Sequence, residues 1–220
     1  MNKIKAIGFD FDGTLIISED SKAEEMAKVF QEKFGIKKGV QQAYKRLRGQ
    51  NRHHKVMALF NQFIKRKPTK TELKKIEDHF GEHYRRSMNS CPLFQCTNIL
   101  KELKKQVEFL FLLSLEEEKD VRKMVKHCGL AKYFDEILGG PKSKLENLDH
   151  VIKKHHLKPR EIIYVGDSPG DVIAGSKMKI KVILVGKKFD YSILRKKLES
   201  KFIFSSLCDL PTKIQDYPKK

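Results

Sequence analysis

Asp10-Phe11-Asp12-Gly13-Thr14-Leu15 follows directly on the apolar run Ile4–Phe9, in which Ile4, Ala6, Ile7 and Phe9 are hydrophobic. A short apolar run that stops at a turn signal reads as a buried strand. Residues two apart in an extended chain point the same way, so Asp10 and Asp12 can face one point at the strand's carboxyl end. Open α/β sheets bind their ligands there. Gly13 permits a sharp turn, and Thr14 adds a hydroxyl close by. Two converging acids beside such a turn suit a magnesium and phosphate site. A strand–turn in which one aspartate caps a helix is the other reading.

The arrangement recurs. Ile162-Ile163-Tyr164-Val165 is a second buried-strand run, and Gly166-Asp167-Ser168-Pro169-Gly170-Asp171 follows at once. Gly, Pro, Ser and Asp are ordinary turn residues, so the second cluster alone would read as a solvated turn. Two strand-end acidic clusters in one chain favour a metal. Mg²⁺ takes oxygen ligands and keeps waters, so one or two carboxylates and a substrate phosphate suffice.

With these runs in hand, the chain resembles the haloacid dehalogenase superfamily of phosphohydrolases. Asp10-Phe11-Asp12-Gly13-Thr14 is similar to that family's first motif, and Gly166 to Asp171 to its fourth. Val107 to Ser114 looks like the second, an apolar strand ending in Ser or Thr. Gly140-Pro141-Lys142-Ser143-Lys144 offers two candidates for the third, a lysine ahead of the fourth motif.

The resemblance implies a Mg²⁺-dependent phosphatase acting on a small-molecule phosphate monoester. Asp10 would be the nucleophile, passing through an aspartyl-phosphate, and Asp12 the acid and base. The metal would be held by Asp10, Asp12 (through its backbone carbonyl), Asp167 and Asp171. Ser114 would hydrogen-bond a phosphoryl oxygen. Lys144 is the preferred motif lysine and Lys142 the fallback. Leu115 stands where many relatives carry a small polar residue, and Glu116, Glu117 and Glu118 follow it. Acids in a first helical turn suit the helix dipole, whereas beside a phosphate pocket they repel substrate. A sugar phosphomutase of the same superfamily shares every core motif. A basic nucleic-acid-associated protein, a polynucleotide-end phosphatase or a non-catalytic binder, is a reading from another class.

Between the first and second motifs the pattern is helical. Ser21–Phe34, closed by Gly35, then Gln41–Leu47, His54–Lys65 and Thr71–Ser87 read as helices. Residues 17–90 would form the small helical cap of the first cap class. Residues 1–16 and 91–220 would form the core, with Cys91 at the return. Arg48, Asn51 and His54, in a polar stretch with a glycine break, are candidate substrate contacts; a solvated basic helix–loop–helix is the alternative. From Thr97 onward helix and strand alternate, including a helix over Glu116–Cys128 and a last strand at Phe202–Phe204. That alternation argues for an α/β fold with a doubly wound, mostly parallel sheet.

A chain of 220 residues has room for such a core and an insert. The longest apolar run, around Phe109–Leu113, is too short to cross a bilayer. The opening leads straight into the first strand, so no signal peptide is expected, and cytoplasmic placement is. Four cysteines without Cys-x-x-Cys spacing are expected to be reduced thiols. The net charge of +18 is spread along the chain, which supports non-specific affinity for polyanions more than recognition; specific nucleic-acid binding is not expected.

Overall fold

The computed structural model describes residues 4–87, 92–185, 203–204 and 206–215. The chain divides into two compact units. One is Ser18–Pro92; the other joins Met1–Ile17 to Leu93–Lys220. Cys91 and Phe202 lie outside the described residues.

The second unit is built on a six-stranded sheet. Its strands are β1 (Ala6–Asp10), β2 (Phe109–Glu117), β3 (Glu136–Gly140), β4 (Ile162–Gly166), β5 (Lys181–Val185) and β6 (Ile203–Phe204). They lie in the order β3-β2-β1-β4-β5-β6, and every pair is parallel. Parallel strands need helical crossovers, which cover both faces of the sheet. Accordingly β1 and β4 are buried along their whole length. Ala6, Phe111, Leu113, Leu148, Val151 and Tyr164 belong to one buried cluster. The crossovers include α5 (Ile99–Gln106), α6 (Glu118–His127), α7 (Lys144–Lys154) and α8 (Pro169–Lys177). The strand order turns back beside β1: β2 lies on one side and β4 on the other. Ligands of open sheets bind at the carboxyl ends flanking such a reversal.

The helix expected over Glu116–Cys128 starts later, at Glu118, because β2 runs on through Glu117. Its pairing with β3 steps from Leu113↔Leu138 to Glu117↔Gly140, so β2 carries two more residues than its partner over that step. The bulge falls between Leu113 and Glu117, the stretch that includes Ser114. The sheet can make this turn because Gly139 has no side chain: a Cβ there would lie 2.7 Å from the Glu116 carbonyl oxygen.

The Ser18–Pro92 unit contains four helices among its described residues. They are α1 (Glu19–Phe34), α2 (Val40–Arg46), α3 (Arg52–Leu59) and α4 (Lys70–Ser87), with a wide π turn at Phe60–Ile64. Met26, Val29, Phe30, Tyr44, Val56, Phe60, Ile76 and Phe80 form its buried side. Edge-on aromatic contact between Phe30 and Phe60, at 5.9 Å, joins α1 to the π turn. The chain leaves the core after Ile16 and re-enters at Leu93. Ile16 and Leu93 form an antiparallel bridge, and Phe94 N–H donates to the Leu15 carbonyl at 2.9 Å.

The expectation of reduced thiols is overturned. Cys96 and Cys208 are joined by a disulfide across 112 residues of sequence, with Cα atoms 5.2 Å apart. Cys128 is disulfide-bonded too. The sequence spacing carried no sign of this, because the partners meet only through the fold. Disulfides persist in oxidising compartments and inside hyperthermophilic cells, so the argument from reduced thiols to a cytoplasmic protein no longer holds. Among the described residues no helix is long and apolar enough to cross a membrane.

Candidate active site

The site lies at the carboxyl ends of β1 and β4. Asp10 is the last residue of β1 and Asp167 follows the last residue of β4. Asp171, in the first turn of α8, is fully buried. Carboxylate oxygens of Asp10, Asp167 and Asp171 all lie within 4.8 Å of one another. Asp171 Oδ2 accepts the backbone N–H of Ser168 at 3.0 Å and the Ser168 hydroxyl at 2.6 Å. It thus caps its own helix while its other oxygen faces the site.

Lys144 answers this acidity. Its ammonium donates to Asp10 Oδ1 at 2.7 Å and to Asp171 Oδ1 at 2.5 Å. Lys142 is exposed. Local sequence explains the difference. Ser143 caps α7, accepting the Glu146 N–H at 3.2 Å, while Glu146 Oε2 accepts the Ser143 N–H at 2.7 Å. This reciprocal capping starts the helix at Lys144. A lysine in a first turn opposes the helix dipole, and here the two buried carboxylates outweigh that repulsion. Burial alone would discharge Lys144, yet Asp10 and Asp171 push it well above the ordinary lysine value. Burial pushes the Asp10 carboxyl up, Lys144 opposes this, and the neighbouring Asp171 and Asp167 add to the rise. Three buried carboxylates thus converge, with the Lys144 ammonium on two of them. An all-oxygen set of three converging carboxylates fits a hard divalent cation such as Mg²⁺.

The other expected residues surround this cluster. Thr14 Oγ1 donates to Asp10 Oδ2 at 3.2 Å. The side chain of Asp12 stands apart from the carboxylate trio and accepts from the Ser114 hydroxyl at 3.4 Å. Ser114 Oγ also accepts the Glu116 N–H at 3.1 Å, which fixes the bulge. Of the three glutamates, Glu116 is buried and Glu117 exposed. Glu118 accepts from Gly139 N–H at 3.2 Å and from Arg122 at 2.9 Å, so it ties β3 to α6. Tyr164 went unremarked in the sequence as a site residue. Its ring lies beside the Lys144 ammonium, 6.0 Å from the ring centre, and only the fold brings the two together.

Arg48, Asn51 and His54 all fall in the helical unit. Asn51 caps α3, accepting the His54 N–H at 2.9 Å, and its side-chain oxygen is 2.7 Å from His54 Nδ1. These two residues therefore serve each other. Arg48 is half-buried in the loop between α2 and α3.

Residues 7–185 match the family described as haloacid dehalogenase-like hydrolase. The phosphoglycolate phosphatase of Haemophilus influenzae is 25% identical over 94% of this chain and 97% of its own length. Among solved structures, a predicted phosphoglycolate phosphatase from Haemophilus somnus superposes with a TM-score of 0.81 at 23% identity, covering 97% of this chain and 99% of that one. A β-phosphoglucomutase from Clostridium difficile superposes at 0.77 with 19% identity, covering 97% and 98%. The family match spans the strands from β1 to β5, both acidic clusters and Lys144, and it settles the membership: the chain belongs to the haloacid dehalogenase-like hydrolases and is a phosphoric monoester hydrolase.

Proposed function

We propose that the protein is a Mg²⁺-dependent phosphatase of small anionic phosphate monoesters that works through an aspartyl-phosphate on Asp10. The observation that carries this reading is the convergence of Asp10, Asp167 and Asp171 on one point beside Lys144. Asp10, Asp167 and Asp171, with the backbone carbonyl of Asp12, would hold the cation. When bound, it offsets the charge between an anionic nucleophile and an anionic phosphate.

The residues divide the remaining work. An Asp10 carboxylate oxygen attacks phosphorus, and the bond to the leaving oxygen breaks. Asp12 gives that oxygen its proton. Water then attacks phosphorus and yields its proton to Asp12; inorganic phosphate leaves and the Asp10 carboxylate is restored. Thr14 and Lys144 hold Asp10 in place, and Ser114 and Lys144 offer hydrogen bonds to the phosphoryl oxygens. The Ser18–Pro92 unit serves as the cap. Arg48 is its substrate contact, since a guanidinium suits a second anionic group.

Phosphoglycolate, the substrate named for the Haemophilus influenzae relative, is the first compound to test, because its carboxylate would give Arg48 a partner. A panel of phosphate monoesters with Mg²⁺ should show hydrolysis that EDTA removes and Mg²⁺ restores. Asp10→Asn should abolish it. Arg48→Ala should lower kcat/KM about tenfold for the best natural substrate and leave p-nitrophenyl phosphate nearly unchanged. Activity retained in Asp10→Asn would exclude the covalent route. A phosphomutase is the second reading, favoured by the shared fold of the β-phosphoglucomutase. Interconversion of sugar phosphates without release of phosphate would establish it instead.

A further inference from the structure

A second cluster of ligating side chains, separate from Asp10, Asp167 and Asp171, lies in the helical unit. His79 and His83 are four residues apart on α4, so both rings lie on one helical face. Their centroids are 4.5 Å apart. Glu32, near the end of α1, faces them. One ligand atom from each of Glu32, His79 and His83 lies within 4.8 Å of the others.

The polar contacts indicate which atoms are available. His83 Nδ1 is 3.1 Å from Glu25 Oε2, and Glu25 is buried and also held by Lys28 at 2.9 Å. That contact occupies Nδ1 of the His83 ring, so Nε2 is the nitrogen we assign to an ion. A carboxylate behind a histidine is the usual way a metal-binding imidazole is oriented and made more basic. On His79, Nδ1 is buried without a hydrogen-bond partner, so Nε2 is the atom that makes contact. It lies 3.4 Å from Glu32 Oε2. Two ligands at zinc–nitrogen and zinc–oxygen distances in a tetrahedron are about 3.3 Å apart. Glu32 and His79 already stand at that separation.

We propose that Glu32, His79 and His83 form a binding site for a divalent transition ion of the zinc type, with Glu25 as the positioning residue behind His83. Two imidazoles and one carboxylate suit Zn²⁺ and discriminate against Mg²⁺ and Ca²⁺, which take oxygen ligands. A water completes the tetrahedron, since the cluster is partly exposed. The ion would cross-link α1 to α4 inside the unit and stabilise it, as any ligand that binds only the folded form does. Without a metal, the same residues make a histidine–glutamate contact network.

The test is a calorimetric titration of the whole, chelator-treated protein with Zn²⁺ in excess Mg²⁺, which saturates the carboxylate site in the core. One saturable zinc per chain and a rise of a few degrees in unfolding temperature are expected. His79→Ala and His83→Ala should each weaken that binding by about 10- to 100-fold or more, and Glu25→Gln by about tenfold with the stoichiometry unchanged. All three variants should keep wild-type Mg²⁺-dependent hydrolysis of p-nitrophenyl phosphate, which reports that they fold. His79→Gln and His83→Gln serve if an alanine variant does not. Co²⁺ should show the strong visible absorption of tetrahedral cobalt in the wild type and lose it in both histidine variants. The protein has eight histidines, so zinc bound elsewhere is recognised by its persistence in these variants. Absence of saturable Zn²⁺ binding, or binding that both histidine variants retain, overturns the proposal.

Discussion

Gly166 and Asp171 occupy the same corner of the site: a Cβ on Gly166 would lie 2.6 Å from Asp171 Oδ2. The glycine closes β4, and its missing side chain is what lets the carboxylate fold back over the strand end. Gly166→Ala should therefore displace Asp171 and, with it, the Lys144 contact. A shift of about 1 Å at a catalytic group can lower turnover about 100-fold. Steady-state kinetics with p-nitrophenyl phosphate and saturating Mg²⁺ would measure it; an unchanged kcat would show that the corner can relax.

Lys144 is the buried positive charge between Asp10 and Asp171. Lys144→Met leaves two buried carboxylates without their partner, and removing one member of a buried ion pair destabilises by about 3–5 kcal/mol. Urea unfolding should show that loss in metal-free buffer, together with loss of hydrolysis. Added Mg²⁺ should restore part of the stability and none of the full rate. Equal stability of variant and wild type without metal would contradict the buried pairing.

The Cys96–Cys208 bond closes a long loop, and such a loop restricts the unfolded chain more than a short one does. Replacing both cysteines with serine should lower stability by about 2–5 kcal/mol, read as a lower urea midpoint. The catalytic constants should be unchanged, because neither cysteine belongs to the carboxylate cluster.

Glu136, at the start of β3, supplies an acid-sensitive element. Burial alone would raise its carboxyl, but Lys154 at 2.8 Å and His155 at 2.9 Å outweigh this and hold it below the ordinary value. A carboxyl depressed in the folded state adds stability above its unfolded value of about 4.3. That contribution is lost as pH falls through the lower folded value. Glu136→Gln should thus be less stable than wild type at pH 7, and the gap should close as the solution is acidified below pH ~4. Thermal unfolding across that range would follow it; a gap independent of pH would place the effect in packing.

Much of this was readable from local pattern. The acids after Ile4–Phe9 and Ile162–Val165 could be placed at strand ends because apolar runs and turn residues are local signals. The start of α7 was also written in the chain, since Ser143 and Glu146 have the spacing of a reciprocal cap. Reading that cap would have put Lys144 first in the helix and decided between it and Lys142. The asparagine cap at Asn51 was a similar signal, and it sets the start of α3 at Arg52. Other features depend on partners distant in sequence. Glu116 and Glu117 look like a helix's first turn, but the pairing of Glu117 with Gly140 and the Ser114 contact to the Glu116 N–H keep β2 extended through them. Tyr164 beside Lys144 and the bond between Cys96 and Cys208 join segments far apart in sequence, which no window of neighbouring residues contains.

The Ile16–Leu93 bridge makes the helical unit a side branch of the chain. Its two ends meet at one strand-width, so the path of the core does not depend on what is inserted between them. A tight turn in place of Ser18–Pro92 would close the gap without rerouting β1 or β2. Evolution can exchange such a cassette for another of different length or shape and leave the carboxylates at the strand ends where they were. The inserted segment and the carboxylates at the strand ends can in this way change independently within one polypeptide.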